Sequence, residues 1–175
     1  MRAHPRPRSA LAAAGITLAA GLTLILSGCG GGDSPVTAES QCATMAKAAL
    51  AATTLSTTYN ADAAVTVAGS ALPAHCVVEG KTNARTGVDG KAYAIGFRLR
   101  LPDQWNGRFL FMGGGGNDGT LGTSVGSNVG PVGKMLPALF EGYAVVSTDG
   151  GHTVTSVADF ATDPLARSDH AYNAY

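Results

Sequence analysis

Residues 105–119 of this 175-residue chain read WNGRFLFMGGGGNDG. The segment RFLFM predicts a continuously apolar strand that lies centrally in a sheet, and four glycines follow it: Gly113, Gly114, Gly115 and Gly116. Glycine has no Cβ and adopts positive φ readily, so such a loop can turn sharply and let another molecule approach its backbone. Its N–H groups suit an anion or a developing oxyanion. The alternative from composition alone is a glycine-rich connector without a role.

Two further strands are predicted, one before and one after this segment. Residues 93–101, YAIGFRLRL, alternate apolar residues with small residues and arginines, which is typical of a half-buried strand whose arginine face, Arg98 and Arg100, lies in water. Residues 143–146 form another apolar strand, which leads into the polar sequence STDGGH. Strands that end in polar, glycine-rich loops favour an α/β fold whose site lies at the carboxyl edge of the sheet.

Three helices are predicted from composition and capping residues. The first covers residues 41–52 with Ser40 as its N-cap, and residues 53–69 after it are predicted as weak strand or loop. The second helix covers residues 134–141. The third begins at the DP sequence of residues 163–164, which provides an N-cap and an N1 proline, and it runs to the last residue.

Asp149 and His152 lie three residues apart at the tip of a predicted strand, close enough to hydrogen-bond to each other. An Asp that orients a His is a catalytic arrangement when a nucleophile is near, so this is a candidate active-site loop. The favoured interpretation is that both side chains pin the loop, with Asp149 accepting backbone N–H bonds.

Two short motifs in the glycine-rich region are not given a function. Gly114, Gly116 and Gly119 match GxGxxG, but the following residues cannot open the helix that a dinucleotide requires. Ser124 lies in a GxSxG match that lacks the buried strand and the helix of a nucleophile elbow. We therefore expect no catalytic nucleophile, cofactor or metal site within this chain.

The charge of the chain argues against a nucleic-acid partner. Three of the 12 basic residues, Arg2, Arg6 and Arg8, lie in the first 28 residues, which leaves nine basic against 12 acidic residues in the remainder. A mildly acidic chain without a basic stripe does not fit nucleic-acid binding.

Residues 1–28 are predicted to be a lipoprotein signal peptide. A positive start precedes an apolar stretch at residues 10–26 and small residues before Cys29, and LSGC resembles a bacterial lipobox. The resemblance implies that Cys29 is acylated, with residues 29–40 as a flexible tether and an exported, outer-membrane lipoprotein facing the periplasm or the exterior. The membrane is then a partner only through this lipid anchor. The alternative is an uncleaved transmembrane helix, for which the apolar stretch is short.

Cys42 and Cys76 remain as an even pair in a chain expected in an oxidising compartment, and they are predicted to form a disulfide. Two free thiols are the alternative. Metal ligation fits less well because no CxxC or HxxxH spacing accompanies them.

Five segments in order make the sequence resemble the tannase and feruloyl esterase family of secreted α/β hydrolases. They are LPAHCVVEG, YAIGFRLRLP, WNGRFLFMGGGGNDG, GYAVVSTDGGH and DPLARSDHAYNAY, within residues 41–175. The resemblance implies the N-terminal part of an α/β-hydrolase catalytic domain that stops before the nucleophile elbow, since the family's Gly-Cys-Ser-x-Gly-Gly turn does not occur in this sequence.

The same resemblance implies a carboxylic ester hydrolase that cleaves esters of hydroxycinnamic or gallic acid with a Ser-His-Asp triad. The partner is then a small aromatic ester, or an ester linked to a polysaccharide or polyphenol. Triad, lid and the calcium site of the lid are expected downstream, so the isolated chain is expected to be inactive. An oxyanion glycine within residues 113–116 carries over, without fixing which glycine donates, and so does the cysteine pair. The alternative function is a non-catalytic surface lipoprotein or binding module that retains part of a hydrolase scaffold.

Overall fold

The computed structural model describes residues 36–67, 69–115, 119–126, 137–153 and 159–175. Its strands are β1 (Thr53–Asn60), β2 (Thr66–Val67), β3 (Ser70–Ala71), β4 (His75–Thr86), β5 (Ala92–Pro102), β6 (Phe109–Met112) and β7 (Ala144–Thr148). Its helices are α1 (Ala38–Met45), α2 (Pro164–Ser168), two 3-10 helices (Ala138–Glu141 and Phe160–Thr162) and a π-helix (Asp169–Asn173).

The main sheet has five strands in the order β1-β4-β5-β7-β6, and β2 and β3 form a separate ladder. The first four strands pair antiparallel, whereas β6 and β7 are parallel. A tight turn joins β4 to β5, in which the Gly87 N–H donates to the Lys91 carbonyl, while the longer stretch of residues 113–143 permits the parallel crossover. The fold is therefore mixed α/β with a mostly antiparallel sheet, and the finer prediction of a hydrolase core stays a prediction.

The prediction that the strand before the glycines lies centrally is wrong for the described strands. β6 pairs with β7 on one side and ends the strand order. Phe109 and Phe111 are 59% and 40% exposed. A continuous apolar run predicts burial on both faces but says nothing about which strands lie beside it.

The first helix and the segment after it also differ from the sequence prediction. Helix α1 begins three residues earlier, because Thr37 and Ser40 form a capping box in which each side chain accepts the other's backbone N–H. The helix ends at Met45 rather than Ala52. Residues 53–60, predicted as weak strand or loop, form β1, which pairs with β4 along its whole length. Cross-strand pairing supplies the stability that local propensity does not reveal.

The later helices agree better with the sequence. Of the predicted second helix the structure describes residues 137–141, which include a 3-10 helix, and Gly142 closes it at φ +82°. The Asp163 N-cap is confirmed, since its carboxylate accepts the Ala166 N–H at 2.7 Å. Helix α2 continues into the π-helix, so the chain remains helical to Asn173.

Two hydrophobic clusters cover opposite faces of the sheet. Cys42 of α1 packs on Cys76 and Val78 of β4. Val145 packs with Val125, Leu139 and Leu72. Because Cys76 is paired with Leu101 and Val145 with the adjacent Arg100, the two clusters lie on different faces.

Across the described ranges, every helix is too short or too polar to span a bilayer.

Candidate functional site

The carboxyl ends of the two parallel strands meet at one edge of the sheet. Met112 of β6 is paired with Ser147 of β7, so the glycines and the STDGGH loop both leave the sheet there. The Gly119 N–H donates to the Asp149 carbonyl at 3.1 Å. The two loops that the sequence singled out are thus brought together by the parallel pairing.

The described glycines of the quartet expose their backbone. Gly113, Gly114 and Gly115 are exposed, and Gly116 lies outside the described residues. A Cβ built on Gly113 or Gly115 meets no atom within 4 Å, and neither residue has the left-handed φ that favours glycine. By contrast, Gly142 has φ +82°, and a Cβ there would meet the Gln104 carbonyl at 2.6 Å. Neither packing nor backbone conformation within the described chain therefore requires glycine at 113 or 115.

The continuation of this loop is held against the sheet by side chains. The Ser147 hydroxyl donates to the Leu121 carbonyl at 2.6 Å. Arg98 Nη1 donates to the Gly122 carbonyl at 2.7 Å, and Arg100 Nε donates to the Thr123 carbonyl at 3.0 Å.

The prediction of a wet arginine face on β5 is therefore wrong. Arg100 is 8% exposed, and the Arg98 side chain is 25% exposed. Alternation identified the face correctly, but the carbonyl groups of a covering loop take the place of water.

Ser124 is buried within the same loop. It is fully buried at φ +52°, and its hydroxyl lies 3.2 Å from the Leu121 carbonyl oxygen. Because the Ser147 hydroxyl donates to that carbonyl, the Ser124 hydroxyl donates the short hydrogen bond between the two serines. Residues 119–126 form neither strand nor helix. A substrate carbonyl has no access to this hydroxyl in this arrangement.

Asp149 is bound to the sheet through one carboxylate oxygen. Its Oδ1 accepts the N–H groups of Gly96 and Gly151, each at 2.9 Å. Burial raises the pKa of Asp149 above its usual value, and the two N–H bonds partly offset this rise. These contacts hold the loop in place, and a catalytic role for Asp149 stays a prediction.

His152 lies in a cluster of rings rather than at the surface. It is 3% exposed, its ring stacks on Phe160 at 4.1 Å between centroids, and the His170 ring meets it edge-on at 5.2 Å. His170 also contacts the ring of Tyr175, which in turn packs edge-on against Phe111 of β6. The C-terminal segment is thereby packed against the loop after β7 and against β6.

Comparison with known proteins identifies the family. A family model described as "Tannase and feruloyl esterase" matches residues 76–175. The chain belongs to this family.

Its relatives in the tannase and feruloyl esterase family carry esterase names. The chain is 43% identical over 121 residues to mono(2-hydroxyethyl) terephthalate hydrolase of Piscinibacter sakaiensis, covering 65% of this chain and 20% of that protein. It is 30% identical over 147 residues to an uncharacterized esterase of Agrobacterium fabrum, covering 79% and 26%. A probable feruloyl esterase of Arthroderma benhamiae is 40% identical over 74 residues, covering 42% and 12%. The chain thus spans between about an eighth and a quarter of the length of these relatives.

Two buried polar contacts of this family member were missed by sequence reasoning. His75 is fully buried, and its Nε2 accepts from Arg100 Nη1 at 2.7 Å. Arg85 of β4 forms a 2.6 Å ion pair with Asp169, which is 4% exposed. The sequence carries no local signal for either contact, because each joins elements that are distant along the chain.

The remaining sequence predictions have different outcomes. The disulfide between Cys42 and Cys76 is confirmed. The signal peptide, the Cys29 lipidation site and most of the tether, residues 1–35, lie outside the described residues. In the described ranges no three His, Cys, Asp or Glu side chains converge as metal ligands would. Calcium in a lid stays a prediction.

Proposed function

We propose that this chain forms part of a carboxylic ester hydrolase that cleaves esters of aromatic acids, of the hydroxycinnamic or gallic type, by a Ser-His-Asp mechanism. The family membership and the esterase names of the relatives support ester hydrolysis. Since the chain spans a minor share of those relatives, the triad is assigned to a segment beyond this sequence. The role of this chain is to provide the oxyanion loop.

The exposed backbone at residue 113 carries the proposal. A glycine that neither packing nor φ requires still leaves room for another molecule to come within hydrogen-bond distance of the main chain. This backbone lies at the carboxyl end of a strand, where open α/β sheets bind their ligands. Its N–H groups are suited to the negative oxygen of a tetrahedral intermediate.

The strand arrangement supports the same assignment. β6 precedes β7 in the sequence but lies outside it in the sheet, with β5 antiparallel on the other side of β7. A mixed sheet of this kind with a glycine loop after an early strand suits the oxyanion loop of α/β hydrolases.

The proposed chemistry divides between the two parts of the protein. The serine hydroxyl attacks the ester carbonyl carbon, the histidine takes its proton and passes it to the leaving alcohol, and water then releases the acid from the acyl-enzyme. Backbone N–H groups of residues 113–116, hereafter the glycine loop, donate to the carbonyl oxygen while it is negative. One such donor contributes on the order of 3 kcal/mol to the transition state.

The test uses the gene product that contains this chain together with the segment after residue 175. Hydrolysis of methyl ferulate and methyl gallate is measured for the wild type, Gly113→Ala and Gly115→Ala. Both variants should retain the wild-type Tm, because the added methyl group meets no protein atom in the described structure. The variant whose added methyl group lies where the ester oxygen binds should show a fall in kcat/KM on the order of 10²-fold.

Ser124→Ala tests the GxSxG serine, and it should retain turnover because the Ser124 hydroxyl is buried and the Ser147 hydroxyl still binds the Leu121 carbonyl in its absence. Wild-type protein without turnover of either ester would contradict the proposal and favour the binding module. Loss of turnover in Ser124→Ala at unchanged Tm would reassign the nucleophile.

We further propose that the protein is exported and anchored through an acyl group on Cys29. The disulfide between Cys42 and Cys76 supports export, because such bonds persist in oxidising compartments. Mass spectrometry of the N-terminal peptide should show a lipid-modified Cys29. An unmodified peptide that retains residues 1–28 would contradict this proposal.

A further inference from the structure

Three consecutive carbonyl groups of the loop after the glycines are bound by three side chains of the sheet. Leu121 is bound by Ser147, Gly122 by Arg98 and Thr123 by Arg100. Arg98 and Ser147 are directly paired across β5 and β7, and Arg100 lies two residues along β5, so the three side chains share one face. The loop lies across that face and is fixed at each of three successive residues.

The two arginines are themselves fixed from their other side. Both Nε and Nη2 of Arg98 contact Oε1 of Glu79 at 2.6 Å. Arg100 donates to His75, whose Nδ1 lies 2.7 Å from the Pro73 carbonyl. Each guanidinium therefore binds a β4 side chain with some of its nitrogens and a loop carbonyl with another. A lysine ammonium cannot reproduce this planar arrangement of donors.

These contacts hold the described segment that follows the glycines. The loop leaves β6 after Met112 and is bound again at Gly119, whose N–H donates to the Asp149 carbonyl. Residues 113–118 lie between these two points. The downstream point is held in turn by the contacts at residues 121–123, so displacement of that segment moves the Gly119 end of the loop.

We propose that Arg98 and Arg100 are positioning residues that fix the glycine loop at the carboxyl edge of the sheet. The inference rests on the proposed function, since it assigns these residues to placement of the oxyanion donor. They do not touch the ester. They act by binding the backbone of the segment that follows the donor, where a displacement of about 1 Å is enough to lower the rate of an acyl transfer on the order of 10²-fold.

The first experiment measures hydrogen exchange at the Gly119 amide in this 175-residue chain. Arg98→Met removes the donor to Gly122, and we expect exchange at Gly119 to become at least about tenfold faster, with partial recovery in Arg98→Lys. Arg98 carries the test because it is partly exposed, and a substitution there is better tolerated than one at buried Arg100. A circular dichroism melt checks that each variant is folded.

Two controls separate the loop contact from general loss of stability. Glu79→Gln removes the charge of the ion pair but keeps Arg98 and an acceptor for it, so Gly119 should exchange as in the wild type. Arg85→Met removes a buried ion pair with Asp169, and the described bonds of Arg85 go to Asn83 and Asp169 rather than to residues 119–123, so Gly119 should also exchange as in the wild type. Exchange in Arg98→Met within twofold of the wild type, or equal acceleration in Arg85→Met, would overturn the proposal.

The second experiment measures methyl ferulate hydrolysis by the longer gene product. Arg98→Met should lower kcat at least about tenfold with KM within twofold, Arg98→Lys should recover part of kcat, and Arg85→Met should match the wild type. Wild-type kcat in Arg98→Met would overturn the positioning role even if exchange is faster. Absence of turnover in the wild type refutes the proposed function and with it the positioning role, whereas the exchange result still establishes whether Arg98 holds the loop.

Discussion

Asp149 accepts a hydrogen bond from the backbone N–H of Gly96 at 2.9 Å, and this contact joins the loop after β7 to the middle of β5. A Cβ on Gly96 would overlap Oδ2 of the same carboxylate. Asp149 can therefore occupy this position only if residue 96 has no side chain. Because Gly119 donates to the Asp149 carbonyl, the position of Gly119 also depends on the glycine at residue 96.

Gly96→Ala should destabilise the fold. The added methyl group displaces the Asp149 carboxylate and strains its bonds to Gly96 and Gly151, and we expect the free energy of unfolding to fall by about 1 to 3 kcal/mol. Urea unfolding measures the change. Gly113→Ala is the matched control, expected within about 0.5 kcal/mol of the wild type because its methyl group meets open space. Equal stability of the two variants would contradict the described contact.

The free energy of unfolding should decrease on acidification, because His75 is buried. Burial lowers the pKa of His75 and the Arg100 guanidinium lowers it further, against the opposing effect of the Pro73 carbonyl. Between the folded pKa and the ordinary value near 6.5, the unfolded chain binds a proton that the folded chain does not. Stability should therefore fall as the pH is lowered from about 8 to about 5.5.

Urea unfolding across this pH range, in the wild type and in His75→Gln, isolates the contribution of this residue. Glutamine keeps one donor and one acceptor but does not titrate, so the variant should lose less stability on acidification. Identical pH profiles would show that His75 is not the group responsible.

Removal of the disulfide should lower stability by about 3 to 4 kcal/mol, the chain-entropy value for a loop closed across 34 residues. The variant that carries both Cys42→Ser and Cys76→Ser is compared with the wild type by urea unfolding. Reductant should shift the midpoint of the wild type and leave the variant unchanged. A wild-type midpoint that does not respond to reductant would mean that the bond is absent in solution.

Asp163→Ala should lower Tm by roughly 3 to 6 °C, because the carboxylate caps α2 through the Ala166 N–H and also accepts the Val88 N–H at 2.8 Å. Those bonds lower the pKa of Asp163, so its contribution is present above about pH 4 and is lost as the pH falls through the folded pKa. The difference in Tm from the wild type should shrink between about pH 6 and about pH 3. Asp159→Ala, which removes an exposed ion pair with Lys91, should change Tm by about 1 °C or less.

Local chemistry made several elements predictable. The alternation of residues 93–101 correctly predicts β5, and the Asp163 N-cap correctly predicts the start of α2. The even cysteine pair gave the disulfide. In each case the deciding interaction is between near neighbours, or follows from which residue types are present.

Predictions that depended on distant partners were less accurate. The Thr, Val and Ala content of residues 53–69 predicts only weak strand or loop, yet residues 53–60 pair with β4 along their whole length. The apolar run before the glycines predicts a central strand, although β6 ends the described sheet. The alternation on β5 predicts that Arg98 and Arg100 face water, because it contains no sign of the loop carbonyls that bind them, which lie more than twenty residues further along the chain.

Residue identity and spacing are enough to identify the glycine quartet after an apolar strand, the order of segments that resembles the tannase and feruloyl esterase family, and the cysteine pair. The contact between the Asp149 loop and Gly119, and the bonds from two arginines to the carbonyls of Gly122 and Thr123, exist only in the folded chain. The physical reason is that parallel pairing of β6 and β7 brings together residues far apart along the chain, and buried guanidinium groups require acceptors that only a folded loop supplies.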